Sequence, residues 1–246
     1  MQSGSTSSFQ EMSVAILAGG LGTRLRPAVS DRAKVVAEVK GRPFLAWLFD
    51  TLEPFGLRNI VLCTGYKGEG IERVFGGRYG GLSIVHSRES TPLGTGGALR
   101  LAIPFLRSST VLVLNGDSCC DLDLHEFYST HLARSACASL ALTWTEDARR
   151  FGQVKMQGHD RIAEFIEKGN ADGPGWISAG VYLIQRELIA EFPPSTALSL
   201  EREIFPTWIP RGLFGFKTAG RFLDIGTPES YALANRELFQ ECVIAD

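Results

Sequence analysis

Short apolar runs alternate with amphipathic stretches through the first half of the chain. Ser13 to Leu17 (SVAIL) predicts a buried strand running into a glycine-rich loop. Pro43 to Pro54 has helical spacing, with Phe44, Trp47, Leu48 and Leu52 on one face. Asn59 to Thr64, Leu82 to His86 and Thr110 to Asn115 predict three further strands. Helices are expected between them, over Lys67 to Phe75 and Gly97 to Leu106. Strand and helix in this alternation imply βαβ units and a mainly parallel sheet. Ligands of such sheets bind at the carboxyl ends of the strands. Two glycine-rich loops and Asp117 all fall just after strands, so they converge on one crevice.

The second half is less regular. Ala138 to Trp144 predicts another central strand, and Gly152 to Met156 with Arg161 to Glu167 alternates like a hairpin. Trp176 to Ile184 predicts a strand, Gly212 to Asp224 two short ones, and Pro228 to Gln240 a closing helix. No repeat or linker interrupts the pattern. The first twelve residues are polar and Ser-rich, without the basic and apolar regions of a signal peptide. They are expected to form a disordered leader (1–12) ahead of a single domain (13–246).

Composition narrows the function classes. With 44% hydrophobic and 21% charged residues the chain has the make-up of a globular protein, and a formal net charge of −2 supplies no basic field for nucleic acid. No window approaches the about 18 apolar residues of a membrane span. The five cysteines, Cys63, Cys119, Cys120, Cys137 and Cys242, are odd in number and form no C-x-x-C pair. They indicate neither a disulfide framework nor a zinc site, and fit reduced thiols in a cytoplasm. His86, His125, His131 and His159 have no partner at ligand spacing.

The loop after the first strand reads Leu17-Ala18-Gly19-Gly20-Leu21-Gly22-Thr23-Arg24-Leu25-Arg26-Pro27. Glycines let the backbone approach a ligand with no Cβ in the way, and their N–H groups can cradle phosphate oxygens. Arg24 can add a charge-assisted fork, and Lys34 a compact second cation. A dinucleotide fingerprint fails because Leu25 stands where Gly or Ala is needed and Pro27 interrupts the following helix. A Walker A loop fails because no Gly-Lys-Ser/Thr follows.

This segment, followed ten residues after Arg24 by Lys34, resembles the signature of the sugar-1-phosphate nucleotidyltransferases. The resemblance extends from Val14 to Phe239. Thr64-Gly65-Tyr66 follows the second strand, and Pro92 to Ala98 resembles the base-contacting loop, with Gly94, Thr95, Gly96 and Gly97 offering backbone to the base edge. Asn115-Gly116-Asp117 resembles the family's metal motif, and Asp224, in Phe222 to Pro228, resembles the second metal carboxylate. Thr227 before Pro228 is the better cap for the closing helix, which leaves Asp224 free for other work, and the resemblance implies that this work is holding Mg2+.

Phe151 to Val154, including Gly152, looks like the lining of the sugar pocket. Glu164 to Lys168 resembles a motif whose Glu167 contacts sugar hydroxyls and whose Lys168 contacts the sugar phosphate. Ser178-Ala179-Gly180 stands where the family has N-A-G, and Leu200 to Pro206 follows a further, largely structural pattern. Two departures are plain: Ala33-Lys34-Val35 replaces a proline-flanked lysine, and Ser178 replaces an asparagine.

The resemblance implies a Rossmann-like, three-layer α/β fold and a Mg2+-dependent reaction of a nucleoside triphosphate with a sugar 1-phosphate. Arg24, Lys34 and Asp117 carry the catalytic assignments. Leu17, Ala18, Gly19, Gly20, Gly22, Thr23 and Gly65 join the loop of Gly94 to Gly97 in holding the nucleotide. Gly152, Glu167, Lys168, Ser178 and Gly180 hold the sugar phosphate, and Asp117 with Asp224 holds the metal. Within the family, Ser30 to Arg32, Gly41 to Leu45 and Pro92 to Gly97 most resemble the D-glycero-D-manno-heptose 1-phosphate guanylyltransferases, which use GTP and serve bacterial surface polysaccharides. Mannose 1-phosphate guanylyltransferase and amino-sugar 1-phosphate uridylyltransferase are the competing substrate readings. A catalytically silent regulatory relative and a nicotinamide-linked dehydrogenase are the rivals from other classes. A homo-oligomer stays open.

Overall fold

Runs of apolar residues too short for helices and apolar on both faces become the central strands, and their positions alternate between two helical layers. The computed structural model describes residues 9–166 and 170–237. The first half contains β1 (Ser13–Ala18), β2 (Glu38–Val39), β3 (Arg42–Pro43), α1 (Phe44–Asp50), β4 (Asn59–Thr64) and α2 (Gly68–Phe75). It continues through β5 (Arg78–Tyr79), β6 (Leu82–Arg88), α3 (Gly94–Ala102) and β7 (Thr110–Asn115). The second half opens with β8 (Ser118–Cys120), α4 (Leu124–Ala133), β9 (Ala138–Thr145), β10 (Gln153–Gln157) and β11 (Arg161–Ile166). It closes with β12 (Gly175–Gln185), α5 (Arg186–Ala190), α6 (Phe205–Gly212), β13 (Leu213–Lys217), β14 (Phe222–Asp224) and α7 (Pro228–Glu237).

Ten strands form one sheet in the order β10-β11-β13-β9-β12-β7-β1-β4-β6-β5. β1 pairs parallel with β4 on one side and with β7 on the other, and β4 pairs parallel with β6. β12 is the antiparallel insert that joins this parallel half to β9. Val14 and Ile16 face the layer of α1, α2 and α4, beside Phe49, Ile71 and Phe127. Ala15 between them faces the layer of α3, α5 and α6, beside Leu99, Leu188 and Trp208. The result is a three-layer α/β sandwich with a core on each face of the sheet. Among the described residues no helix is long and apolar enough to cross a membrane.

Three expectations need correction. Phe9–Glu11 is a 3-10 turn, not leader, because Phe9 packs on Phe55, His125 and Tyr128 and Met12 is buried. Residues 1–8 lie outside the described residues. The helix expected from Gly97 begins at Gly94, and α4 fills a segment where no element was expected. Asp123 caps α4 by accepting from the N–H groups of His125 and Glu126 at 2.9 and 3.0 Å.

His131 of α4 is buried against Ser139, with Nδ1 and Oγ 2.9 Å apart, and burial pulls its pKa down from 6.5 to about 4. The folded protein therefore refuses a proton that the unfolded chain accepts, so stability falls as pH drops from 6.5 toward 4. Between pH 7.5 and pH 5 this one group is expected to cost about 2 kcal/mol. Urea titrations at both pH values should show that loss, and His131→Gln should flatten the pH dependence by the same amount.

Candidate active site

Parallel pairing makes β1, β4 and β7 end at one edge, and their loops form the walls of a cleft there. The glycine-rich loop leaves β1 at Ala18. It is tied down by Leu25, which is buried and whose carbonyl accepts from Ala28 and Val29, each at 2.9 Å. Gly22 adopts φ +61°, a left-handed turn that leaves Thr23 and Arg24 exposed at the rim. A Cβ at Gly20 would meet nothing within 4 Å, so this stretch of backbone is open to a ligand. Leu17 and Ala18 are less available. The Leu17 carbonyl accepts from Gly116 N–H at 2.9 Å, and Ala18 is buried in the core.

Lys34 and Asp117 meet as an ion pair between Nζ and Oδ2, although 83 positions separate them. Buried Ala33 and Val35 flank the lysine in a 3-10 turn and fix where it emerges. Asp117 sits at the turn after β7, where Gly116 packs on Leu17 and Val35 with no room for a Cβ. The short pair β8–β14 then brings Asp224 alongside, opposite Ser118, and Ile225 N–H donates to the Asp117 carbonyl at 2.9 Å. Asp224 is not without partners. Its Oδ2 accepts from Gly226 N–H at 2.8 Å and Ser230 Oγ at 3.2 Å, while Oδ1 faces Arg150 at 3.6 Å. Thr227 caps α7, its Oγ1 accepting from Ser230 N–H at 3.3 Å.

A cleft of about 620 Å³ joins these groups to the second half of the chain. Arg24, Gly94, Thr95, Asp117, Gly152, Ser178, Gly180 and Asp224 all line it. Ser178 enters the cleft because β12 shifts register between Ser178 and Tyr182, a bulge made by Gly180 at φ +74°. The Ser178 hydroxyl accepts from Gly180 N–H and donates to the Tyr182 phenol, each at 3.2 Å. Tyr182 is fully buried, and that burial raises its pKa well above 10. Its OH donates to Glu201 at 3.3 Å, and the other Glu201 oxygen accepts from Thr95 at 3.2 Å. One hydrogen-bonded chain thus ties the floor of the cleft to α3. Glu201, expected to be mostly structural, is a cleft residue as well as a link.

The loop of Gly94 to Gly97 is divided. Gly94 and Thr95 face the cleft, whereas Gly96 donates its N–H to the Leu198 carbonyl at 2.9 Å and Gly97 packs on the Thr196 carbonyl. Gly94, Gly96 and Gly97 all admit the 196–198 segment against α3, and the Gly96 N–H is spent on that segment rather than on a base edge. Glu167 and Lys168 lie outside the described residues.

A second pocket of about 540 Å³ opens on the other side of the glycine loop, between Gly19, Gly65, Tyr66 and Glu89. Sequence reasoning passed over Glu89, which carries no signal beyond its place at the end of β6. Its Oε1 lies so close to Gly19 and Gly65 that a Cβ on either would crowd it, and its Oε2 accepts from Leu93 N–H at 3.0 Å. Burial raises its pKa, against a smaller lowering by the Leu93 bond. Arg150 and Asn115, also at the cleft, were likewise given no role from sequence.

Two glycine substitutions separate structure from binding. Gly116→Ala places a methyl 2.9 Å from the Leu17 carbonyl and 3.1 Å from Val35, and should cost about 1–3 kcal/mol in urea denaturation. Gly20→Ala should leave stability within about 0.5 kcal/mol yet weaken nucleotide binding in calorimetry, because its methyl points into open space.

Known proteins resemble this chain in sequence and in fold. The chain is 36% identical over 228 residues to a D-glycero-alpha-D-manno-heptose 1-phosphate guanylyltransferase of Aneurinibacillus thermoaerophilus, covering 92% of this chain and 98% of that one. It is 34% identical over 232 residues to a mannose-1-phosphate guanylyltransferase of Mycobacterium tuberculosis, of whose length it spans 65%. The structure of HddC from Yersinia pseudotuberculosis superposes with a TM-score of 0.83 at 31% identity, over 93% of this chain and all of that one. A second HddC structure, complexed with GMP-PN, superposes with a TM-score of 0.80. The nucleotidyl transferase family model matches residues 13–241, and the chain belongs to that family.

Proposed function

We propose that this protein is a sugar-1-phosphate guanylyltransferase that joins GTP and D-glycero-alpha-D-manno-heptose 1-phosphate into GDP-heptose and pyrophosphate. The observation that carries the reading is the meeting of Lys34, Asp117 and Asp224 at the strand edge where Arg24 and the open Gly20 backbone also stand. Cations and free backbone N–H groups suit a triphosphate. Two carboxylates close together suit Mg2+, which prefers oxygen ligands and commonly takes one or two from protein and the rest from phosphates and water. Among the described residues no cluster of three or more candidate metal ligands exists, which fits a metal shared with nucleotide phosphates.

In this mechanism an oxygen of the sugar phosphate forms a bond to the α-phosphorus of GTP. The bond from that phosphorus to the β-phosphate bridging oxygen breaks, and pyrophosphate departs. No protein nucleophile is needed, so positioning and charge neutralisation carry the rate. Arg24 holds the triphosphate, and Lys34 orients the leaving pyrophosphate. Asp117 and Asp224 would hold Mg2+, which supplies charge neutralisation on the reacting phosphates. Ser178, Gly180 and Gly152 line the space left for the sugar, with Lys168 assigned to its phosphate.

Guanine is favoured by Glu89. A carboxylate offers two acceptors side by side, and the guanine edge offers two adjacent donors, N1–H and the 2-amino group. Uracil and thymine present one donor between two carbonyls, a poor match for a carboxylate. Heptose rests on the Aneurinibacillus relative, of whose length this chain covers 98%. Mannose 1-phosphate remains the second reading, supported by the Mycobacterium tuberculosis relative. The continuous ten-stranded sheet supports residues 13–246 acting as one domain, and the buried thiols of Cys63 and Cys137, neither of them in a disulfide, agree with a cytoplasmic setting.

Pyrophosphate release with Mg2+, crossing five nucleoside triphosphates against a panel of sugar 1-phosphates, tests the assignment. Turnover with GTP and the manno-heptose well above every other pair is the expected result. A better sugar would replace heptose, and no release from folded protein with any pair would overturn the enzyme reading. Glu89→Gln should lower kcat/KM for GTP about 10- to 100-fold while changing UTP little, since hydrogen bonds to a charged partner are worth about 1.5–3 kcal/mol. An unaltered ratio of GTP to UTP would remove Glu89 from base selection.

A further inference from the structure

Arg150 lies in the segment between β9 and β10, two residues before the cleft-lining Gly152. Its guanidinium stands 3.6 Å from Asp224 Oδ1 and donates to Thr227 Oγ1 at 3.4 Å. It also lies over the Phe151 ring, 5.1 Å from the centroid. The charged groups around it are Asp147, Asp224 and Glu229, whose carboxylates all sense or pair with it. It borders both the cleft and a larger groove of about 970 Å³ on the outer side of β14.

The Asp224 carboxylate is divided between two tasks. Oδ2 is engaged by Gly226 and Ser230, so Oδ1 is the oxygen left for an outside partner, and Arg150 is the cation beside it. Asp117 has its own cation in Lys34. Each carboxylate that would hold a metal therefore already has a protein counter-ion. The two differ in tightness: Lys34 is 15% exposed in contact with its partner, whereas the Arg150 side chain is 44% exposed and beyond hydrogen-bond distance. An ion pair that open is weak and readily exchanged.

Resting on the transferase reading above, we propose that Arg150 is a displaceable counter-ion of Asp224 that passes to the phosphate of the sugar 1-phosphate when metal takes its place. A divalent ion at Oδ1 repels the guanidinium beside it. The released fork then has a dianionic phosphate within the same cleft, which it can hold through two parallel hydrogen bonds. Metal and sugar phosphate consequently favour each other's binding, and by linkage the coupling is the same in both directions. Arg150 is thus a substrate-binding residue in the loaded cleft and a competitor of metal in the free one.

Titration of the nucleotide-free protein with Mn2+, followed by electron paramagnetic resonance, reads the first half, and steady-state kinetics the second. Arg150→Gln should bind Mn2+ about 2- to 5-fold more tightly than wild type, the change expected for an exposed ion pair. Its KM for the sugar 1-phosphate should rise at least tenfold with KM for the triphosphate within twofold, and Arg150→Lys should recover part of the loss. Unchanged Mn2+ affinity, or equal rises in both KM values, would overturn the proposal. Turnover by wild type in the same assay tests the transferase reading separately, so a failure confined to the variants falls on Arg150 alone.

Discussion

β1 is hydrogen-bonded on both sides to parallel neighbours, six residues with β4 and five with β7, and its register with them determines where the cleft lies. Ala18 aligns with Thr64 and Leu17 with Asn115, so the chain leaves the sheet at the same level three times. The glycine loop, the Gly65 turn and the Asn115-Gly116-Asp117 turn all start from that level. A slip of one residue in β1 would exchange Val14 and Ile16 for Ala15 in the core below and move the loop by a strand step. Burial of both faces makes such a slip costly. The same apolar packing that holds the fold therefore also holds Lys34 against Asp117.

Close backbone approach recurs around the cleft, and its beneficiaries differ. Gly116 lets β7 turn against the Leu17 carbonyl and Val35, which brings Asp117 to Lys34. Gly19 and Gly65 leave room for the Glu89 carboxylate between two loops. Gly96 and Gly97 admit protein, the 196–198 segment, and through it Leu200 and Glu201 reach Thr95. Glycine in a sequence announces that something comes close without saying whether it is ligand or chain. That ambiguity is why the loop from Gly94 to Gly97 reads from sequence as a base contact while half of it is a packing surface.

Buried strands were the most legible elements. Asn59–Thr64 and Thr110–Asn115 fall where their apolar runs do, because both faces are covered and the pattern ends where burial ends. α4 was illegible for the opposite reason: its buried stripe is Leu124, Phe127 and His131, with a histidine where an apolar residue would complete the pattern. Its cap, Asp123 followed by Glu126, was the readable signal. The place of the site was legible from its loops after strands, but the role of Asp224 only through resemblance to a family. Asp224 is brought alongside Asp117 by β8–β14, a pair of three-residue strands that no periodicity can reveal. Glu89 and Arg150 had neither motif nor pattern, and only their positions between loops distinguish them.

The two departures from the family's pattern illustrate how structure decides what a substitution means. Ala33 adopts φ −66°, the angle that a proline ring would itself impose, and both Ala33 and Val35 are buried. Burial thus supplies the rigidity that a ring would, and the position of Lys34 against Asp117 is kept by packing instead of by covalent geometry. Ser178 has no such replacement. Its hydroxyl is already committed to Gly180 and Tyr182, so compared with asparagine it leaves both more space and fewer hydrogen-bonding groups over the floor of the cleft. A sugar larger than a hexose needs that space, and its hydroxyls must then be met by other groups around the cleft, among which Asn115 and Glu201 stand nearest to the Tyr182 network.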